Sequence, residues 1–266
     1  MTKINVTLEE LLEAGAHFGH QVRRWNPRME EYLYGQKDGV HIFDLAKTRE
    51  ELLRALEEIT KASREGKSIL LVGTKKQVKQ KIAEVAGKTG SLYVNERWLG
   101  GTLTNFGQIL TSVKKLAELK EKTAKGQFSD YTKKERLLIE RKITDMERFF
   151  GGISTITRLP DLMIIIDIHR EKGAVTEAKK MGIPTVGVVD SNSDPNEVTF
   201  PIPMNDDASK VLEYIMNLFE RAILEGKEVV ATKPLKAKKG TSKKVKVEEE
   251  KALDSEEEQL EVAHEK

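Results

Sequence analysis

Five short apolar runs constrain the fold of this 266-residue chain more than any other feature: "VHIFDL" (Val40 to Leu45), "SILLVG" (Ser68 to Gly73), "SLYV" (Ser91 to Val94), "LMIIIDI" (Leu162 to Ile168) and "PTVGVVD" (Pro184 to Asp190). None alternates apolar with polar residues. Each therefore reads as a strand buried on both faces, the pattern of a parallel sheet covered by helices on either side. The intervening segments have helical spacing. A short first helix opens with the capping box "TLEE" (Thr7 to Glu10), and Thr48 to Glu65 opens with "TREE", which has the same form. Lys75 to Lys88 follows a strand through "GTKK", and Lys172 to Met181 stops at Gly182. A last long helix takes Asn205 or Asp206 as its cap and Gly226 as its end. The expected fold class is α/β, a doubly wound and mostly parallel sheet.

Residues 105–150 stand outside that alternation. They carry no strand signal. Ile109, Val113 and Leu116, then Ile139, Ile143, Met146 and Phe150, give two charged helical segments one narrow apolar seam each, interrupted by "AKGQFSD" (Ala124 to Asp130). This predicts an inserted antiparallel helical hairpin whose arms of about 18 residues would reach roughly 27 Å. The α/β domain then comprises residues 1–104 and 151–226.

The net charge of +2 hides a sharp division in the tail. Lys227 to Lys246 carries eight lysines and one glutamate, whereas Val247 to Lys266 carries nine acids and two lysines. With no aromatic residue and few large aliphatics, residues 227–266 are expected to be a disordered tail, first basic and then acidic. The chain has no cysteine, which excludes disulfides, thiol catalysis and thiolate metal sites. No run reaches the roughly 20 apolar residues of a membrane helix, and the N-terminus lacks the pattern of a signal peptide, so a cytoplasmic protein with no membrane partner is expected.

Asp44, Asp167 and Asp190 each fall near the C-terminal end of an expected strand, where open α/β sheets bind ligands. Three carboxylates there would suit Mg²⁺-dependent phosphoryl transfer, but aspartate is equally a cap and turn residue, and "DSNSDPN" (Asp190 to Asn196) is dense in turn formers. Neither GxGxxG nor GxxxxGK[ST] occurs; "VGTKKQ" (Val72 to Gln77) nonetheless sets Lys75 and Lys76 at a helix N-terminus, an arrangement that accepts a phosphate. In "AHFGH", His17 and His20 stand three apart, with Asp190 or Asp206 as a conceivable third metal ligand. Structural histidines held by hydrogen bonds account for the same letters, and neither a metal nor a cofactor is expected.

The densest basic and aromatic mixture is "QVRRWNPRMEEYLYG" (Gln21 to Gly35), with Arg23, Arg24 and Arg28 around Trp25. Guanidinium groups grip phosphates and planar rings stack on unpaired bases, so the mixture suits RNA; a surface turn built on Trp25 explains it as well. The segment "ERWLGGTLTNF" (Glu96 to Phe106) carries no acid, base or nucleophile arrangement.

Taken together, "AGAHFGHQVRRWNPRMEEYLYGQKDGVHIFDLAKT" (Ala14 to Thr48), "ERWLGGTLTNF", "LPDLMIIIDI" (Leu159 to Ile168) and "GIPTVGVVDSNSDPNEVTFPIPMNDDA" (Gly182 to Ala208) closely resemble, in order and spacing, the bacterial family of ribosomal protein S two. The resemblance covers about residues 4–226. It implies a flavodoxin-like domain with an inserted hairpin and a non-enzymatic role. The partners it implies are 16S ribosomal RNA near the junction of head and body of the small subunit, neighbouring small-subunit proteins, and ribosomal protein S one, which captures messenger RNA. On that footing the expected RNA contacts are Arg23, Arg24, Trp25, Arg28, Lys75, Lys76, Arg97 and Asn105, with Lys114, Lys115, Lys133 and Lys134 on the hairpin. "RWLGGTLTNF" becomes a junction between sheet and hairpin, Gly100 and Gly101 allowing close backbone approach. The family often has Cys where Ser193 stands, and commonly Gly where Met204 stands.

Overall fold

The computed structural model describes residues 4–231, to which the following statements are confined. Five parallel strands, β4 (Ile69–Val72), β5 (Leu92–Val94), β6 (Leu162–Ile165), β7 (Thr185–Val189) and β8 (Phe200–Pro203), form one sheet in the order β5-β4-β6-β7-β8. With the strands renumbered within that sheet, the order is 2-1-3-4-5, the flavodoxin-like arrangement, whose direction of winding reverses between β4 and β6. Successive residues face opposite sides. Ile69 and Leu71 join a core with α1 (Leu8–Ala14), α2 (Leu45–Arg64), α3 (Lys79–Thr89) and α7 (Ser209–Ala231), whereas Leu70 and Val72 join a second core with α6 (Lys172–Met181) and the base of the hairpin. Each fully buried aliphatic side chain on either face stabilises the fold by about 1.5–3 kcal/mol.

The hairpin consists of α4 (Phe106–Ala124) and α5 (Lys133–Phe150), separated by a turn that contains Gly126 at φ 66°. Ile109, Val113 and Leu116 of α4 are buried, and α5 buries no residue completely. Thr132 caps α5 in a box with Glu135. Glu96 fixes the base: its Oε2 lies 3.0 Å from Lys79 Nζ on α3 and 3.0 Å from Arg148 Nε on α5.

Several expectations fail in informative ways. "VHIFDL" does not enter the parallel sheet. Its strand β3 (Val40–Phe43) is the centre of a separate antiparallel sheet, between β1 (Phe18–Gln21) and β2 (Leu33–Lys37). Asp38 and Gly39, both at positive φ, close the two-residue turn from β2 to β3, as hairpin twist requires. Asp44 is the N-cap of α2, accepting from the amide of Ala46, so α2 begins before "TREE"; Thr48 is buried inside it and donates to the carbonyl of Pro203 at 2.6 Å. Lys75 belongs to the turn that precedes α3.

Gly226 does not end α7, which runs on to Ala231. A β-carbon at Gly226 would stand 2.6 Å from Ser63 Cβ and 2.6 Å from the carbonyl oxygen of Thr60, so its function is to let α7 press against α2. The tail boundary expected at residue 227 moves with it: Lys227, still helical, donates to the carbonyl of Thr89. The remainder of the expected tail lies outside the described residues.

Candidate nucleic-acid interface

In flavodoxin-like sheets ligands bind at the C-terminal strand ends beside the switch point, here the segments that follow β4 and β6. The protein fills that place with its own side chains. Lys75 Nζ lies 2.9 Å from Asp167 Oδ2, 2.6 Å from Asp206 Oδ1 and 2.7 Å from Asp207 Oδ1. Beside it, Glu171 accepts from the amide of Thr74 at 3.1 Å and from its hydroxyl at 2.5 Å. Asp167 holds a φ of 64°, unusual outside glycine, with its Oδ1 accepting the amide of Arg170 at 2.8 Å.

Charge explains the titration of this cluster. Burial opposes the ammonium of Lys75, but the carboxylates of Asp206, Asp207 and Asp167 outweigh it and hold the group above the ordinary lysine range. Asp206 is 1% exposed, and burial, then Asp190 and Asp167, push its carboxyl up to about 8 against the pull of Lys75. One ammonium does not neutralise three buried carboxylates, so Lys75 and Asp206 both gain proton affinity. The expected phosphate contact at Lys75 is therefore corrected: its charge is already committed inside the protein. Lys76, next to it, is exposed and makes no side-chain bond among the described residues.

The same edge gathers some of the metal candidates and separates others. His20 Nδ1 lies 3.0 Å from Asp190 Oδ1, a bond that raises its proton affinity despite burial. One ligand atom each from His20, Asp190 and Asp206 lies within 4.8 Å of the others. His17 is not among them; its ring packs at a tilt of 41° against Phe18 with centroids 4.0 Å apart, and burial lowers its pKa. The trio Asp44, Asp167 and Asp190 is likewise not assembled, because Asp44 caps a helix that leaves the antiparallel sheet.

"ERWLGGTLTNF" is organised by a residue that the sequence did not single out, Glu177 of α6. Its carboxylate accepts the indole N–H of Trp98 at 3.0 Å, the amides of Gly101, Leu103 and Thr104 at 2.8, 2.9 and 3.1 Å, and the hydroxyl of Thr104 at 3.1 Å. Burial pushes this carboxyl up; the converging donors more than offset it and leave the pKa below the ordinary glutamate value. Gly101 adopts φ 90° to present its amide, whereas a β-carbon at Gly100 would meet nothing within 4 Å, so close approach is not its reason. Thr102 donates to the carbonyl of Leu99. Arg97 and the side chain of Asn105 remain exposed, with no side-chain partner among the described residues.

Around the antiparallel sheet, Arg23 and Arg24 lie on a short 3-10 turn and are exposed; Arg23 Nε bonds Gln21 Oε1 at 3.0 Å, and Arg24 makes no side-chain bond among the described residues. Trp25 is half-buried, its ring 5.1 Å from that of buried His41. The amide of Asn26 donates to the carbonyl of Ser191 at 2.7 Å and ties this turn to the end of β7. Arg28 pairs with Asp194. Tyr34, 83% exposed, extends the basic and aromatic strip along β2. On the hairpin, Lys114, Lys115, Lys133 and Lys134 are exposed and without ion pairs among the described residues. No described helix is long and apolar enough to cross a membrane.

Fold and surface together define a class: a flavodoxin-like α/β scaffold with an inserted helical hairpin, its switch-point edge closed by its own ion cluster and its unpaired cations on the outside. The sequence profile of the ribosomal protein S2 family matches residues 11–226, and the chain belongs to that family. It is 44% identical over 223 residues to the small ribosomal subunit protein uS2 of Coprothermobacter proteolyticus, covering 84% of this chain and 83% of that one. It is 48% identical over 224 residues to the protein of the same name from Nitratiruptor sp., covering 84% of each, and 48% identical over 220 residues to that of Rhodospirillum centenum, covering 83% and 84%.

Proposed function

We infer that this protein is a structural constituent of the small ribosomal subunit, working in the cytoplasm and not as an enzyme. It binds 16S ribosomal RNA near the junction of head and body, lies beside neighbouring small-subunit proteins, and helps dock ribosomal protein S one for messenger RNA capture in translation. Membership of the family supports the subunit role. The observation that carries RNA binding is the division of its cations: Lys75 is locked among buried carboxylates, while Arg24, Lys76 and Arg97 stand exposed and without partners among the described residues. Arg23 and Arg28 add guanidinium groups, Trp25 a partly accessible ring, Asn105 an amide at the hairpin base, and Lys114, Lys115, Lys133 and Lys134 positive charge along the arms. Phosphate contacts of this kind release counterions, so the association weakens with salt.

Sedimentation of a cell lysate through sucrose gradients at low and high salt, with this protein followed by mass spectrometry, tests the reading. Co-migration with the small subunit at low salt and partial loss at high salt is expected. Recovery among free proteins at both salts would reject the subunit role.

A further inference from the structure

We propose that a cavity at the turn of the helical hairpin receives one unpaired nucleobase of RNA, with the ring of Phe128 as its stacking platform. This rests on the RNA-binding reading above and goes beyond phosphate contact, because it gives the hairpin a site for a base.

The seam of the hairpin explains why a cavity forms there. On α4, Ile109, Val113 and Leu116 are buried, and the next positions at the same spacing of four and three are Lys120 and Thr123. Lys120 turns to Glu147, its Nζ 2.6 Å from Oε1. On α5 the apolar seam begins at Ile139, and the residue three before it is Arg136. Ile139 is therefore only half-buried, and a cavity of about 270 Å³ opens beside it, lined by Thr123, Phe128, Ser129, Arg136 and Glu140. Its wall is held in place without a ligand. The amide of Ser129 donates to the carbonyl of Gly126 at 3.0 Å and that of Tyr131 to the carbonyl of Phe128 at 3.3 Å. The rings of Phe128 and Tyr131 meet edge to face, with centroids 5.4 Å apart.

Size, chemistry and charge select a base as the occupant. The cavity lies just under the roughly 300–1,000 Å³ of pockets for drug-sized ligands, so it takes one ring system. Phe128 and Ile139 offer apolar walls, while Arg136 supplies guanidinium donors and Glu140 a carboxylate acceptor. Arg136 and Glu140 stand one helical turn apart, yet neither side chain has a partner among the described residues. The edge of a base presents both donors and acceptors to such groups, and its face stacks on an aromatic ring; an aliphatic side chain would leave both polar groups unused. Residues 119–142 carry eight lysines and arginines against four acids, and this excess draws the RNA backbone to the turn.

The test measures binding of the full chain to a 16S ribosomal RNA transcript by filter retention across a salt series, with base-specific chemical probing of the RNA in the complex. The wild type is expected to bind and to protect the base edge of an unpaired nucleotide. Phe128→Ala should weaken binding about 5- to 150-fold and remove that protection. The slope of log affinity against log salt should not change, since no phosphate contact is lost. Phe128→Trp, which keeps a stacking face, should retain both binding and protection. Thr123→Leu, which carries the apolar seam into the cavity, should weaken binding while raising the melting temperature, so that loss of fold cannot account for the effect. Binding by the wild type with equal affinity and protection in Phe128→Ala and Thr123→Leu overturns the base site and leaves RNA binding standing. Absence of binding by the wild type overturns both. Unchanged RNA affinity in these variants, with loss of a neighbouring protein from reconstituted subunits, would assign the cavity to a protein and overturn the base site as well.

Discussion

The carboxylate of Glu177 accepts the indole N–H of Trp98 at 3.0 Å, and the same two oxygens collect three backbone amides and a hydroxyl from the segment that follows. A segment rich in glycine and threonine, with no strand or helix of its own, is thereby folded around one anion carried by a neighbouring helix. Glu177→Ala would strand these donors and should cost about 2–3 kcal/mol. Glu177→Gln, which keeps one acceptor oxygen, should cost less. Urea unfolding measures both, and a change below about 0.5 kcal/mol for alanine would deny Glu177 this organising role.

The pH dependence has a definite sign. The folded carboxyl of Glu177 is held below its ordinary value, so its contribution is complete above the unfolded pKa and is lost as pH falls through the folded one. The stability gap between wild type and Glu177→Gln should therefore be full near pH 7 and shrink as pH falls below about 4.5. A gap that grows on acidification would contradict the assignment.

Gly226 and Gly100 make a controlled pair. Alanine at Gly226 places a methyl group 2.6 Å from α2, and overpacking of this kind costs about 1–3 kcal/mol, read as a lower melting temperature. Alanine at Gly100 enters open space and should leave the melting temperature within a degree or two of wild type, or raise it, at roughly 0.5 kcal/mol.

Lys75 and Arg24 should separate folding from association. Lys75→Met leaves Asp167 and Asp206 buried without their cation and should destabilise the fold by about 3–5 kcal/mol. Arg24→Glu should leave melting unchanged, weaken binding to small-subunit RNA and reduce the slope of log affinity against log salt by about 1. Equal loss of RNA binding in a folded Lys75→Met protein would return Lys75 to the interface.

What the sequence made legible follows from the range of the forces involved. Continuous apolar runs identified β4, β6 and β7 because burial on both faces leaves a local pattern. Seams at spacings of three and four identified both hairpin helices for the same reason. "VHIFDL" carried the same apolar signal but pairs antiparallel, and the sign of that was the turn dipeptide Asp38-Gly39 rather than the run itself. The fate of Lys75 was not legible: its partners lie 92, 131 and 132 positions away, and only the fold brings their carboxylates to its ammonium. Glu177 was equally silent, because a glutamate on a charged helix has no local mark of the backbone it will gather. Asp190 and Asp206 were named with His20, whereas the exclusion of His17 required the geometry of β1.

The place of the hairpin bears on how the chain folds. The central strands β4 and β6 pair Leu70 with Met163, 93 positions apart, a long loop to close before any parallel pairing stabilises it. The hairpin elements span residues 106–150 within that loop. Helical segments form within microseconds from local contacts. If α4 and α5 dock first, the effective loop is roughly halved, which lowers the entropy of closure by about 0.6 kcal/mol. The insertion would then speed folding by about threefold, and shortening the hairpin symmetrically would leave that rate almost unchanged, whereas replacing it with an equally long unstructured linker would slow it.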